Sequence, residues 1–355
     1  MTGGGDMQVR AAPDWRQGNP YQQLLAQALS PLGVDVTFPR GYRRGLPLWR
    51  DLRTAPRPEI LHLHWPEAYL RRTAPLLRAA YVLRTLTDLA LVKRGGTRLV
   101  WTAHNLTAHD TATPRLDLVF ARRLARLADR IITHGDGARD AVVDRLGADP
   151  ARITVIPHGT FRDVYGPAPD RATARAALGL DPDAPLALFF GMIRPYKGVL
   201  PLLDAWDALG MQRGTARLMI AGEAPDPAHA SATRARAQHL PQVRLDMGKV
   251  PDDRVPLLLA AADVLVLPFA ASLTSGTVTL AQDYGVPVVV PRTPGTAEAR
   301  NAVIADDTTP GPLGQAILQA LALPRGPRTP DPATGWDRVA AQHRAVFEQV
   351  LEAGT

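Results

Sequence analysis

The sequence predicts an α/β protein of two Rossmann-like domains, each built on a parallel sheet. Short apolar runs alternate with helical patterns in both halves, and the alternation is interrupted once, by a stretch with prolines at both ends. At 355 residues the chain also exceeds what one α/β core usually organises. Strands that alternate with helices form right-handed crossover units, and such units give parallel sheets.

In the first half a short strand is expected ahead of residues 16–29, where a Gly-Asn-Pro turn opens a helix, followed by strands over 60–64, 98–102, 130–133 and 153–156. Residues 76–92 and 116–127 carry apolar spacings of three and four and read as crossover helices. The segment 165–183 (YGPAPDRATARAALGLDPD) holds one short helical pattern and no strand, and reads as the linker region. Strands are then expected over 186–191, 217–222, 243–246, 264–268 and 286–291, and a closing amphipathic helix over 336–351.

Composition excludes several classes of chemistry. With no cysteine there are no disulfides, thiolate metal sites or cysteine nucleophiles. No apolar run approaches the ~18 residues of a membrane span, and residues 1–10 lack the apolar core of a secretory signal, so a soluble cytoplasmic protein is expected. The net charge of +7 is concentrated: residues 40–98 carry thirteen Arg or Lys against four Asp or Glu. Such a surface suits an anionic leaflet, giving an expected peripheral position at the inner membrane face. Basic residues interleaved with aromatic stacking platforms are sparse, so no nucleic-acid partner is expected.

The chemistry is concentrated in two segments. In LFFGMIRPYKG (188–198) an apolar strand ends at Gly191, and Arg194 and Lys197 follow before a second glycine. Ligands of open α/β sheets bind beyond the carboxyl ends of strands, where glycine admits close backbone approach and two cations three residues apart can grip a diphosphate. Lys197 is one of only three lysines in the chain. In LVLPFAASLTSGTVTLAQDYGVPVVVP (265–291), Ser275, Gly276 and Thr277 fall at a helix start, whose unpaired N–H groups and dipole favour an anion.

With these two segments go Ala221-Gly222-Glu223 at a strand end, Gly248-Lys249-Val250 after the next strand, and residues 295–298. Together they resemble the donor half of GT-B glycosyltransferases, the family 4 type of bacterial exopolysaccharide and glycolipid synthesis. The resemblance implies two domains facing across a cleft: an acceptor-binding domain over 1–165, a nucleotide-sugar-binding domain over 166–335, and a helix over 336–355 crossing back to the first. It implies hexosyl transfer from a nucleotide-diphosphate sugar to a saccharide or lipid-linked saccharide. Donor contacts fall by resemblance on Gly191, Arg194, Lys197, Gly222, Glu223, Val250, Ser275, Gly276 and Thr277, with Glu298 a further candidate.

One departure is chemical. Family members usually carry two glutamates eight positions apart before the Gly-x-Pro-Val-Val strand, and those places hold Ser272 and Leu280. Retention and inversion both stay open on this sequence. So do two alternatives on the same fold, a nucleotide-sugar epimerase and a non-catalytic nucleotide-sugar binder.

In the first half Gly18 and Asn19, in a Gly-Asn-Pro turn opening a helix, are candidate acceptor contacts, and a plain turn and cap reads equally well. Histidines cluster there: His62, His64, His104, His109, His134 and His158. His104 resembles the acceptor-domain histidine of related enzymes and is the first candidate for catalysis, with His64 and Glu67 as rivals. No H-E-x-x-H or strand-end D-x-D accompanies them, so no metal and no cofactor is expected beyond the donor.

Overall fold

The computed structural model describes residues 6–39, 41, 45–53, 57–70, 74–107, 113–324 and 332–353. The chain divides into two compact units, Met1–Gly159 with Pro332–Thr355, and Thr160–Asp331. The division thus falls at 159/160 and 331/332, against the 165/166 and 335/336 read from the sequence.

The first unit holds β1 (Met7–Ala12), β2 (Val34–Thr37), β3 (Ile60–Leu63), β4 (Arg98–Thr102), β5 (Arg130–Thr133) and β6 (Ile153–Val155), in the order β2-β1-β3-β4-β5-β6. The second holds β7 (Leu186–Phe190), β8 (Arg217–Ala221), β9 (Val243–Asp246), β10 (Val264–Val266), β11 (Val288–Pro291) and β12 (Ala302–Ala305), in the order β12-β11-β10-β7-β8-β9. Every pairing is parallel. Strands buried on both faces need continuous apolar runs, and Ile60–Leu63 and Val288–Pro291 are buried throughout.

Strand order fixes where chemistry can sit. The chain leaves β1 toward β2 on one side and returns with β3 on the other, and it leaves β7 toward β8 and returns with β10. Each sheet therefore has a topological switch point, between β1 and β3 and between β7 and β10, where the loops diverge and leave a crevice.

β2 and β12, two strands the apolar runs do not announce, are edge strands of four residues (VDVT, AVIA) that are only partly buried. The helix Asp136–Leu146 also escapes the pattern, because DGARDAVVDRL mixes charge among few apolar positions.

The 165–183 stretch is a structural part of the second unit and not a free connection. Asp170 caps the helix Arg171–Leu178 by accepting from Thr173 N at 2.9 Å. Arg175, 1% exposed, pairs with Asp263 at 2.7 Å and donates to Ala184 O and Ala261 O. In the first unit the helix Trp336–Glu352 packs Val339, Phe347 and Val350 against Tyr21, Leu25 and Leu29 of the helix Tyr21–Leu29.

Arg175→Met keeps the bulk but removes the guanidinium from Asp263 and from the carbonyls of Asp181, Pro182, Ala184 and Ala261. A loss of about 3–5 kcal/mol is expected, read as a lowered denaturant midpoint for the second unit.

Candidate active site

In the second unit the loops after β7, β8, β9 and β10 are stacked by direct backbone contact. Gly191 (φ +130°) and Gly222 (φ +149°) end β7 and β8, and a Cβ on Gly222 would lie 1.8 Å from Gly191 O. The loop after β8 also receives Ile193 N at Glu223 O (2.8 Å), and Gly222 O accepts from Gly248 N (3.1 Å), which brings the half-buried Val250 beyond β9 into the same group. On the other side a Cβ on Gly198 would lie 2.2 Å from Pro268 O, and Tyr196 O accepts from Ala270 N. The Arg194–Lys197 loop is thereby fastened to the loop leaving β10.

That β10 loop leads into the helix Gly276–Asp283. Ser275 is its N-cap, with Oγ accepting from Val278 N at 3.3 Å, and a Cβ on Gly191 would meet Thr277 Oγ1 at 3.7 Å. The helix start and the end of β7 are neighbours at the switch point. Lys197 Nζ lies 5.2 Å from the Tyr196 ring and 5.7 Å from the Phe269 ring. Burial, and then the charge of Arg194, hold the Lys197 ammonium below the usual lysine range. Among the described residues no carboxylate pairs with it. Two like charges and a helix's positive end at one partly dry crevice favour an anion bridging them.

Glu298 is exposed in the loop after β11. That loop is tied to the helix approach, since Gly295 N donates to Ser272 O and a Cβ on Gly295 would strike Leu273 and Thr274 backbone. Ser272 is half-buried and Leu280 is buried in the core, so neither position offers a carboxylate.

In the first unit, the loops after β1 and β3 flank the other switch point. Gly18 N and Asn19 N both donate to Trp15 O, and Asn19 Oδ1 accepts from Tyr21 N. Asn19 is thus engaged in the turn that delivers Tyr21. Gly18, Trp15, Tyr69, Tyr81 and Arg84 line an open groove of about 990 Å³. Glu67 follows β3, and its carboxylate accepts from Asn105 Nδ2 at 3.2 Å. Burial pushes that carboxyl above the ordinary glutamate range.

His64 and His104 meet directly, Nδ1 to Nε2 at 3.2 Å, with Trp65 stacked on His104 at 4.2 Å. The three candidate catalytic residues therefore gather beyond β3 and β4. Around them lie His62, His134 and His158, with Tyr21 as a hub whose ring is 4.8–5.7 Å from His64, His104, His134, His158 and Trp336. Tyr21, Trp336 and His343 are members that periodicity does not reveal, because a buried tyrosine at a helix start and a histidine on a closing helix read as ordinary core positions. Trp336 packs where Gly159 leaves no side chain: a Cβ there would lie 2.4 Å from its ring. His109 and the basic residues Arg43, Arg44, Arg71 and Arg72 lie outside the described residues. Among the described residues no group of three His, Cys, Asp or Glu is placed to hold a metal ion, and no helix is long and apolar enough to cross a membrane.

Comparison with known proteins covers both units. Residues 184–322 match the family model described as glycosyl transferases group 1, and residues 9–161 match the one described as glycosyltransferase family 4. The chain belongs to the family 4-type GT-B glycosyltransferases. This transferase is 27% identical over 347 residues to the GDP-mannose:glycolipid 4-beta-D-mannosyltransferase of Xanthomonas campestris pv. campestris, across 94% of this chain and 89% of that one. It is 30% identical over 266 residues to a D-inositol 3-phosphate glycosyltransferase of Segniliparus rotundus, across 70% of this chain and 59% of that one. Its fold superposes on sucrose-phosphate synthase from Thermosynechococcus elongatus with a TM-score of 0.70 at 19% identity, covering 98% and 100% of the two chains.

Two outcomes are expected. Gly222→Ala drives a methyl into Gly191 O and should cost about 3–5 kcal/mol, seen as a lower unfolding midpoint of the second unit together with weaker nucleotide binding. The histidine cluster should make the first unit acid-labile. Burial lowers His158 and His343 from 6.5 to about 4, so between those values the unfolded chain binds more protons than the folded one. Stability contributed by these two is full above pH 6.5, falls as pH drops through that window and levels off below 4. Intrinsic-rate-corrected amide exchange at pH 7.5 and 5 should show the helix Trp336–Glu352 losing protection before β7 and β8 do.

Proposed function

We propose that this transferase moves mannose from GDP-mannose to a lipid-linked saccharide with inversion at the anomeric carbon and without a metal. The observation that carries the donor side is the Arg194–Lys197 pair beside the start of the helix Gly276–Asp283, all at the β7/β10 switch point. As the sugar–phosphate bond breaks, charge grows on the leaving diphosphate. Fixed cations and helix N–H groups aimed there do the work a divalent ion does elsewhere. Gly222, Glu223, Val250 and Glu298 lie in loops after β8, β9 and β11 and are assigned to the rest of the donor.

The mannosyl and inverting parts rest on two supports. The Xanthomonas relative, matched almost end to end, is a GDP-mannose 4-beta-D-mannosyltransferase. A β-linkage made from an α-linked donor requires one inversion. In addition, Ser272 and Leu280 withhold the carboxylates expected by resemblance, so a direct displacement with a base from the acceptor side suits this site. The base comes from the group His64, His104 and Glu67, and Gly18 with the aromatic groove holds the acceptor saccharide.

The lipid end is assigned to a leaflet. On the helix Pro75–Arg94, Leu76 is 87% and Leu83 69% exposed, on one face and about two turns apart. The surrounding 40–98 segment carries a net charge of +9, more than the +7 of the whole chain. The helix also supplies Tyr81 and Arg84 to the groove.

Incubation with GDP-, UDP-, ADP- and dTDP-sugars and a lipid-linked oligosaccharide should release GDP from GDP-mannose at least ten times faster than nucleotide from the others, and product NMR should show a β-mannoside. An α-mannoside would end the inverting assignment, and preference for another donor would end the mannosyl one. Flotation with anionic vesicles should be lost for Leu76→Glu with Leu83→Glu, while release of GDP with a soluble acceptor is kept. Unchanged flotation would remove the leaflet.

A further inference from the structure

The hydrogen bonds inside the histidine cluster determine which nitrogens carry protons. His134 Nδ1 donates to Ile156 O at 2.9 Å, His158 Nδ1 to Gly159 O at 2.8 Å, and His343 Nδ1 to Val339 O at 2.8 Å. A carbonyl oxygen only accepts, so in each ring the proton sits on Nδ1. The Nε2 atoms of His134 and His343 are then bare lone pairs, and both are buried without a hydrogen-bond partner.

His64 shows the same pattern at its Nε2, which is buried without a partner, while its Nδ1 faces His104 Nε2 at 3.2 Å. Both rings are buried, and burial followed by neighbouring histidines keeps them neutral. One proton therefore lies in that bond, and it has two placements. If His104 Nε2–H donates, His64 must carry its own proton on Nε2, sealed in the core with no acceptor. If His64 Nδ1–H donates, its Nε2 is a lone pair. Orphaned buried N–H groups are rarer than under-satisfied acceptors, which selects the second placement. The Tyr21 ring packs among these imidazoles, its centroid 5.7 Å from that of His64 and 5.5 Å from that of His134, and its hydroxyl is likewise buried without a partner.

We propose that His64 is a positioning residue that fixes His104 as the Nδ1–H tautomer, so that His104 offers a substrate oxygen a donor and does not take the acceptor's proton. With its Nε2 filled by the His64 proton, neutral His104 has no lone pair to spare. The base is then Glu67, held at one oxygen by Asn105. The acceptor O–H proton passes to the Glu67 carboxylate, the acceptor oxygen bonds to the anomeric carbon, and the electron pair of the sugar–phosphate bond leaves with GDP. The part concerning catalysis rests on the acceptor-side reading above, whereas the tautomer belongs to the protein alone.

The test reads the tautomer without substrate. Long-range 1H–15N correlation on histidine-labelled protein, with the His104 signals assigned by their loss in His104→Gln, should show Nδ1 of His104 protonated and Nε2 as an acceptor. A proton on Nε2 of His104 overturns the proposal, whatever the donor and acceptor prove to be. In activity, His64→Asn keeps an amide N–H near the place of Nδ1 and should stay within a few-fold of the parent. His64→Leu keeps volume without a donor and should lose roughly 10–100-fold in kcat with KM little changed, together with the His104 tautomer signature. Equal losses in both variants, or none in His64→Leu, would also overturn it.

Discussion

The second unit depends on two places where backbone touches backbone and no side chain fits: Gly222 against Gly191 O, and Gly198 against Pro268 O. The first joins the ends of β7 and β8, and the second joins the loop after β7 to the loop after β10. Because interiors are close-packed and yield little, these contacts fix the heights of three loops above one sheet. The loop carrying Arg194 and Lys197 is consequently fastened to the loop that leads into the helix Gly276–Asp283, whose Thr277 neighbours the end of β7. Burial, and next the charge of Arg194, lower the pKa of the Lys197 ammonium there.

The first unit meets a different constraint. Its switch point is filled with neutral imidazoles and a buried tyrosine in place of fixed charge, and hydrogen bonds to carbonyls set the proton positions. Such an arrangement fits recognition of sugar hydroxyls, which need directed donors and acceptors and carry no charge. The two switch points thus differ along electrostatic lines, cationic in the second unit and neutral in the first.

How far the sequence revealed this varied with the physical signal. The central strands of both sheets were legible because full burial demands unbroken apolar runs, as in Val288–Pro291. Edge strands β2 and β12 were not, since half-buried strands of four residues tolerate Asp35 or a flanking Asn301. The 165–183 segment read as a linker from its terminal prolines and lack of a strand, whereas its short helix is anchored in the second unit by buried Arg175, ion-paired with Asp263, 88 residues distant in sequence. Lys197 stood out against an arginine-rich background and Ser275 by its place at a helix start, and the switch-point topology puts the loops that carry them at the same end of the sheet. Tyr21, Trp336 and His343 were invisible, because membership in the histidine cluster is a property of three-dimensional packing and leaves no local pattern.

The central claim is that Arg194 and Lys197 hold the second phosphate of a nucleoside diphosphate. Calorimetric titration of GDP and GMP into the parent protein and into Arg194→Ala and Lys197→Ala tests it most directly. The account predicts that the parent prefers GDP over GMP by at least about tenfold, roughly 1.4 kcal/mol, and that each variant loses most of that preference while binding GMP as before. A preference for GDP that survives both substitutions would contradict it.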